Sequence, residues 1–272
     1  MQPANSYDGL LPDVEDLYHH LLEELIYLES LPGVFAENRD SVELILEQFE
    51  RMDCHNWTLD IAPNFVIEIN ESQGNDSEDS RRDYAISGGF AVIGGLINVC
   101  DGEFENYALN LTFLTQPESE LRGEGENRYL GAPCCRREVL ENPDWRVAKR
   151  YHFDIDIGNN KNESKPVTHL QSGGSFDADH FPEHRSYIDP HYCRTPLDKP
   201  RLPHPPMDPL LIIHLLVEQY QSLQNIVQDT WAHRVKVSEQ QMWTKYYSRI
   251  NDLLREDQGS RDTLDRLFDN SF

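Results

Sequence analysis

The stretch YHFDIDIGNNKNESKPVTHLQ, residues 151–171, decides the fold. Tyr151, Phe153, Ile155 and Ile157 alternate with His152, Asp154 and Asp156. A period of two marks a half-buried strand. Gly158–Ser164 is rich in Gly, Asn and Ser, the chemistry of a turn, and Pro166–Gln171 reads as the returning strand. The pair is expected to bury Tyr151, Phe153 and Ile155 and to turn His152 and Asp154 to the other face.

Downstream, Ser172–Lys199 has no clear period and holds Gly, Asp, His and Pro, so it reads as a long loop. Arg201–Asp208 (RLPHPPMD) leads out of it into an apolar run, Leu210–Val217, broken only by His214. Asp208 is a good N-cap and Pro209 a good first helical residue, so a buried helix is expected there. The lost cap alone predicts a cost of about 1 kcal/mol for Asp208→Ala. Ser238 with Gln241 reads as a capping box opening a further helix with Met242, Tyr246, Ile250 and Leu253 on one side. Ser260 reads as the cap of a short last helix.

Upstream, WTLDIAPNFVIEIN (57–70) and FENYALNLTFLT (104–115) alternate like strands, with Pro63 predicting an edge position or a bend. Tyr84–Cys100 is apolar and contains Gly88-Gly89 and Gly94-Gly95, read as a strand pair with a glycine turn or bulge. Strands joined by short connections predict an antiparallel meander. At the N-terminus, Asp13 opens a helix whose stripe is Val14, Leu17, Tyr18, Leu21, Leu25 and Leu28. Asp40 with Glu43 resembles a capping box for a second helix, and the two form a hairpin. The expectation is one α+β domain: a helical hairpin (1–55), an antiparallel sheet (56–172), the long loop (173–207) and C-terminal helices (208–272) packed with the hairpin on one sheet face.

Charge narrows the function. Twenty-four Lys and Arg against 48 Asp and Glu leave a net charge of −24 in 272 residues. That opposes direct nucleic-acid binding and an anionic membrane surface, and favours a basic protein partner or plain solubility. Asp76, Glu78 and Asp79 in one loop and Glu118, Glu120, Glu124 and Glu126 in another are the expected partner-binding residues. The start of the chain has no basic n-region or apolar h-region and no run is long enough to span a membrane, so a cytoplasmic location is expected. Five cysteines include no C-x-x-C pair, which predicts neither a disulfide framework nor a zinc ribbon.

Three groups of residues could carry chemistry. Antiparallel pairing of the central hairpin brings His152, Asp154 and His169 together, a set able to hold a divalent metal or act as acid and base. The plainer alternative is the solvated outer face of a sheet. In the long loop, His184, His191 and Cys193 are the fallback zinc ligands, although no four-ligand spacing is present and neither a metal nor another cofactor is expected. His19-His20, on the first helix, are expected to be satisfied or solvated.

The third is H-L-Q-x-G-G (His169–Gly174) followed by R-x-P-x-P-P-M-D-x-x-L (Arg201–Leu211). This pair of elements resembles a motif in uncharacterised bacterial proteins from mobile or defence gene neighbourhoods. The resemblance covers about a quarter of the chain and implies no catalytic residue. Physically, the prolines fix how the chain enters the helix, and Arg201 is placed to pair with a strand carboxylate. The expected function is a non-enzymatic acidic accessory or regulatory protein of a bacterial multicomponent system, with a basic, nucleic-acid-handling protein as its partner. The alternatives are a metal-dependent hydrolase or nuclease on the His152/Asp154/His169 face, and a nucleic-acid-mimicking inhibitor.

Overall fold

A computed structural model of the chain describes residues 9–32, 38–69, 89–115, 145–155, 167–173, 188–189, 201–224, 227 and 230–256. Helices α1 (Val14–Glu29) and α2 (Arg39–Phe49) come first. Strands β1 (Trp57–Ile69), β2 (Gly89–Cys100), β3 (Glu103–Thr115), β4 (Trp145–Ile155), β5 (Thr168–Ser172), β6 (Ile188–Asp189) and β7 (Leu202–Pro203) follow. Helices α3 (Pro209–Gln219), α4 (Gln221–Gln224) and α5 (Trp231–Glu256) complete the α+β order. The sheet runs β1-β2-β3-β4-β5-β7 with antiparallel neighbours, and β6 pairs in parallel with Trp145 and Arg146 at the start of β4.

The central hairpin has the expected register. Phe153 faces Leu170, Asp154 faces His169 and Ile155 faces Thr168. Phe153 and Ile155 are buried; Tyr151, expected to join them, is only half-buried, with its ring edge-on to Phe113 and under the Lys149 ammonium. Among the described residues, the helices pack on one face of the sheet. The main core joins Leu59, Ile97, Tyr107, Leu109 and Phe153 of the sheet to Leu21, Phe49, Leu210 and Met242 of the helices. Val92, Leu114 and Val147 are buried outside that core, on the second face.

Glycines set the meander. Asp101 and Gly102 take φ of 52° and 79° between paired Cys100 and Glu103, a two-residue turn whose positive φ values match the right-handed twist of the strands it joins. Gly94-Gly95 is not a turn. Both residues lie inside β2, and Gly95, at φ 135°, faces Ile61, where the β1–β2 register shifts between Ile61 and Phe65. Pro63 sits within that shift, on a strand at the end of the sheet path, as its missing donor requires.

Two helix starts differ from expectation. The α2 N-cap is Asn38, and it makes no capping bond. Its side-chain amide instead brackets Val66 of β1, donating to the carbonyl and accepting from the N–H at 2.7 Å each. Asp40 falls one residue inside the helix, where its charge suits the positive end of the dipole. Ser238 opens nothing: α5 runs unbroken from Trp231, and Ser238 lies fully buried in its interior. A local spacing rule cannot see that its hydroxyl has a distant partner. The Ser260 helix lies outside the described residues.

Candidate functional site

The segment Arg201–Asp208 is held at successive residues. His204 donates its N–H to the Thr168 carbonyl at 3.2 Å, Trp243 Nε1 donates to the Pro206 carbonyl at 2.9 Å, and the Tyr107 hydroxyl donates to the Met207 carbonyl at 2.7 Å. Arg201 Nε donates to Gln171 Oε1 at 3.2 Å. The prolines of this stretch carry no N–H to satisfy, and its carbonyls accept from β3 and α5. Both halves of the motif are thus wired into the sheet and the C-terminal helices.

At its end stands Asp208, fully buried. One carboxylate oxygen caps α3 through the Leu211 N–H at 2.7 Å. The other meets His20 Nε2 of α1 at 3.0 Å and accepts from the Ser238 hydroxyl of α5. Glu24, one turn along α1 from His20, places Oε1 3.0 Å from the same Nε2. A single N–H cannot align on two acceptors; it bonds Asp208, and neither oxygen of Glu24 has a hydrogen-bond partner. The cluster ties three helices together across 188 residues of sequence.

The electrostatics follow from burial. Desolvation favours the neutral imidazole of His20, but the Asp208 bond and the adjacent Glu24 outweigh it and push its pKa up to about 10. Burial and the Asp208 charge push Glu24 up to about 8, against the pull of His20. The buried cluster thus favours the protonated forms of both His20 and Glu24. Burial and the same two carboxylates also raise Tyr107. Groups able to hold a metal among the described residues are this set, His20, Glu24 and Asp208, and an exposed one, Glu15, Cys54 and His55.

The second sheet face carries the residues singled out in the sequence. His169 is buried, and its Nε2 lies 3.8 Å from Asp154 Oδ2. His152 is on the same face but bonds elsewhere: its Nε2 is 3.0 Å from the Gly173 carbonyl and must donate to it. The face is half-buried to buried rather than solvated, and includes Arg150 at 8% exposure. Burial, then the charge of Arg150, lowers His152 to about 4. Since His152 is lowered from 6.5, its contribution is complete above pH 6.5 and is lost as pH falls through about 4. At 1.36 kcal/mol per unit this acid loss is at most about 3 kcal/mol. Denaturant titrations across that window should show the loss in the wild type and a flatter acid limb in His152→Gln.

Asp76, Glu78, Asp79, Glu118, Glu120, Glu124 and Glu126, and also His184, His191 and Cys193, lie outside the described residues. An acidic surface is nevertheless present on the hairpin. Asp13, Glu15, Asp16, Glu23, Asp40, Glu43, Glu47, Glu50 and Asp53 are exposed, against Arg39 and Arg51. Arg51 is itself 3.5 Å from Glu47. In residues 1–69, fifteen carboxylates against two arginines give −13 of the chain's −24. Loop composition had drawn attention away from this share.

What the sequence reading missed is the buried cluster. A signal for it existed: positions 17, 21, 25 and 28 of α1 are apolar, and His20 and Glu24 fill the gaps in that stripe at helical spacing. No protein-family model, curated protein or solved structure matches the chain.

Proposed function

We propose that this chain is a non-enzymatic accessory or regulatory protein that binds a basic protein partner through an acidic surface built on α1 and α2, together with the two acidic stretches of its sequence. The observation that carries this reading is where the hairpin places its charge. Carboxylates in the first turns, such as Glu15, Asp16 and Asp40, are explained by the helix dipole. Glu50 at the C-cap of α2 is not, and Glu47 in its last turn is offset only by an exposed pair with Arg51: both face the negative end of the dipole, and neither helix has a basic residue in its last turn. Those positions cost helix stability, and a surface that recognises positive charge accounts for them. A field of this sign repels nucleic acid and speeds encounter with a basic protein.

The resemblance of the His169–Gly174 and Arg201–Leu211 elements supports a bacterial multicomponent system in an antiviral setting, and the location proposed with it is the cytoplasm. Among the described residues no helix is long and apolar enough to cross a membrane. A hydrolase on the His152/Asp154/His169 face is supported less, because His152 Nε2 is engaged by the Gly173 carbonyl.

Kinetics with a partner isolated from the native host test this reading. Association should slow as salt rises through about 0.15 M, where the screening length is about 8 Å. Reversing Glu43, Glu47 and Glu50 to Lys, or Glu118, Glu120, Glu124 and Glu126 to Lys, should slow association on the order of tenfold and change dissociation less. An on-rate indifferent to salt and to both reversals would reduce the acidic surface to a solubility device. Competition by duplex DNA for the partner's groove would favour the nucleic-acid-mimicking form of the same reading.

A further inference from the structure

We infer that His20, Glu24 and Asp208 form a binding site for one divalent transition-metal ion at the junction of α1, α3 and α5. The ligands would be His20 Nε2, an oxygen of Glu24 and Oδ2 of Asp208, which lie within 4.8 Å of one another. His20 Nε2 is 3.0 Å from each carboxylate, and the ion would take the place of the proton that this nitrogen otherwise shares with Asp208, releasing it to solvent. Ligand atoms at about 2.1 Å from a shared ion stand roughly 3.0–3.4 Å apart, so the nitrogen already has a metal ligand's spacing to both oxygens.

Three further features point to an occupant. Glu24 is 3% exposed, and although His20 Nε2 lies 3.0 Å from its Oε1, neither of its oxygens takes part in an aligned hydrogen bond. A buried carboxyl group without an aligned hydrogen bond costs about 1–3 kcal/mol, and an ion coordinated by it removes the cost. The i, i+4 spacing of His20 and Glu24 puts both on one helix face, a spacing suited to chelation from a helix. Asp208 is also oriented from outside the cluster, through Leu211 N–H on one oxygen and the Ser238 hydroxyl on the other, as ligating carboxylates commonly are.

One imidazole with two carboxylates suits Zn²⁺, Mn²⁺ or Fe²⁺ better than Mg²⁺, which prefers oxygen and keeps its waters. The site is nearly closed, and its ligands come from elements distant in the chain. The assigned role is structural: the ion locks the hairpin to the C-terminal helices. The expectation of a metal-free chain rested on ligand spacing along the sequence, which cannot register a set assembled from positions 20, 24 and 208.

The test uses the full chain, stripped with chelator and titrated with Zn²⁺, Mn²⁺ and, as a control, Mg²⁺. Zn²⁺ or Mn²⁺ should bind at one equivalent and raise the melting temperature. Glu24→Gln, which keeps size and the His20–Asp208 bond, should weaken binding at least tenfold. Cys54→Ser, and a triple change of His184, His191 and Cys193 to Ala, should leave it unchanged. Absence of saturable binding at 1 mM metal, or equal affinity in Glu24→Gln, would overturn the assignment and leave Glu24 to a buried water. If Glu24→Gln does not fold, Co²⁺ in the wild type decides: weak visible bands without a thiolate charge-transfer band support the site, and a thiolate band refutes it.

Discussion

Gly95→Ala is expected to be among the most damaging single-methyl changes in this chain. A Cβ at this position would be driven onto the Ala108 carbonyl oxygen and to 2.7 Å from Leu109 Cα. Both are backbone atoms of β3, the strand paired with β2 along its whole length, so neither can move alone. The backbone at φ 135° is also one that residues with a side chain rarely adopt. Together these predict a loss of about 3 kcal/mol or more. Gly102→Ala is the internal control: its φ is 79°, but nothing lies within 4 Å of the added atom. That change should cost only the left-handed backbone penalty, about 1–2 kcal/mol. Urea denaturation of the two variants measures the difference. Equal losses would mean that close approach of β3 to Gly95 is not a constraint on the fold.

The second large effect is at Asp208. Were it only an N-cap, Asp208→Ala would cost about 1 kcal/mol. The carboxylate is fully buried and also meets His20 and Ser238, so its removal strands a buried imidazolium beside Glu24. Breaking a buried pair from one side costs about 3–5 kcal/mol, and that is the expected loss. Asp208→Asn retains a capping oxygen and should fall between Ala and wild type. The measurement is denaturant unfolding in chelator, so that no metal contributes. A loss near 1 kcal/mol would show that the cap is the whole of its role.

These two residues show where the sequence was legible and where it was not. Asp208 and Pro209 announced a helix start because capping is local, and α3 begins there. The register of β4 on β5 was readable from alternation, since one side of each strand had to be apolar. Asn38, passed over in favour of Asp40 as the α2 cap, and Ser238 misled for the opposite reason. Each has a side chain whose partner is in another element: Val66 for the first, Asp208 for the second. Gly94-Gly95 could be read as a turn or a bulge, because closeness to a neighbouring strand leaves the same mark in a sequence as a positive φ in a loop; the register shift opposite Gly95 decides for the bulge. The candidate face was half legible. Pairing put Asp154 opposite His169, but the capture of His152 by Gly173 depended on where the chain went after β5. His20 and Glu24 could be placed on the α1 stripe, yet nothing in the order of residues joins them to position 208.

The proposed function rests on the acidic hairpin meeting a basic protein. Zero-length carbodiimide cross-linking of the purified complex, followed by peptide mass spectrometry, tests that most directly, because it joins carboxylates only to amines in contact. Cross-links from Glu23, Glu43, Glu47 or Glu50 to partner lysines, fading as salt is raised before cross-linking, are the predicted result. A partner captured without any cross-link from the hairpin or from the acidic loops, and unaffected by salt, would contradict the account.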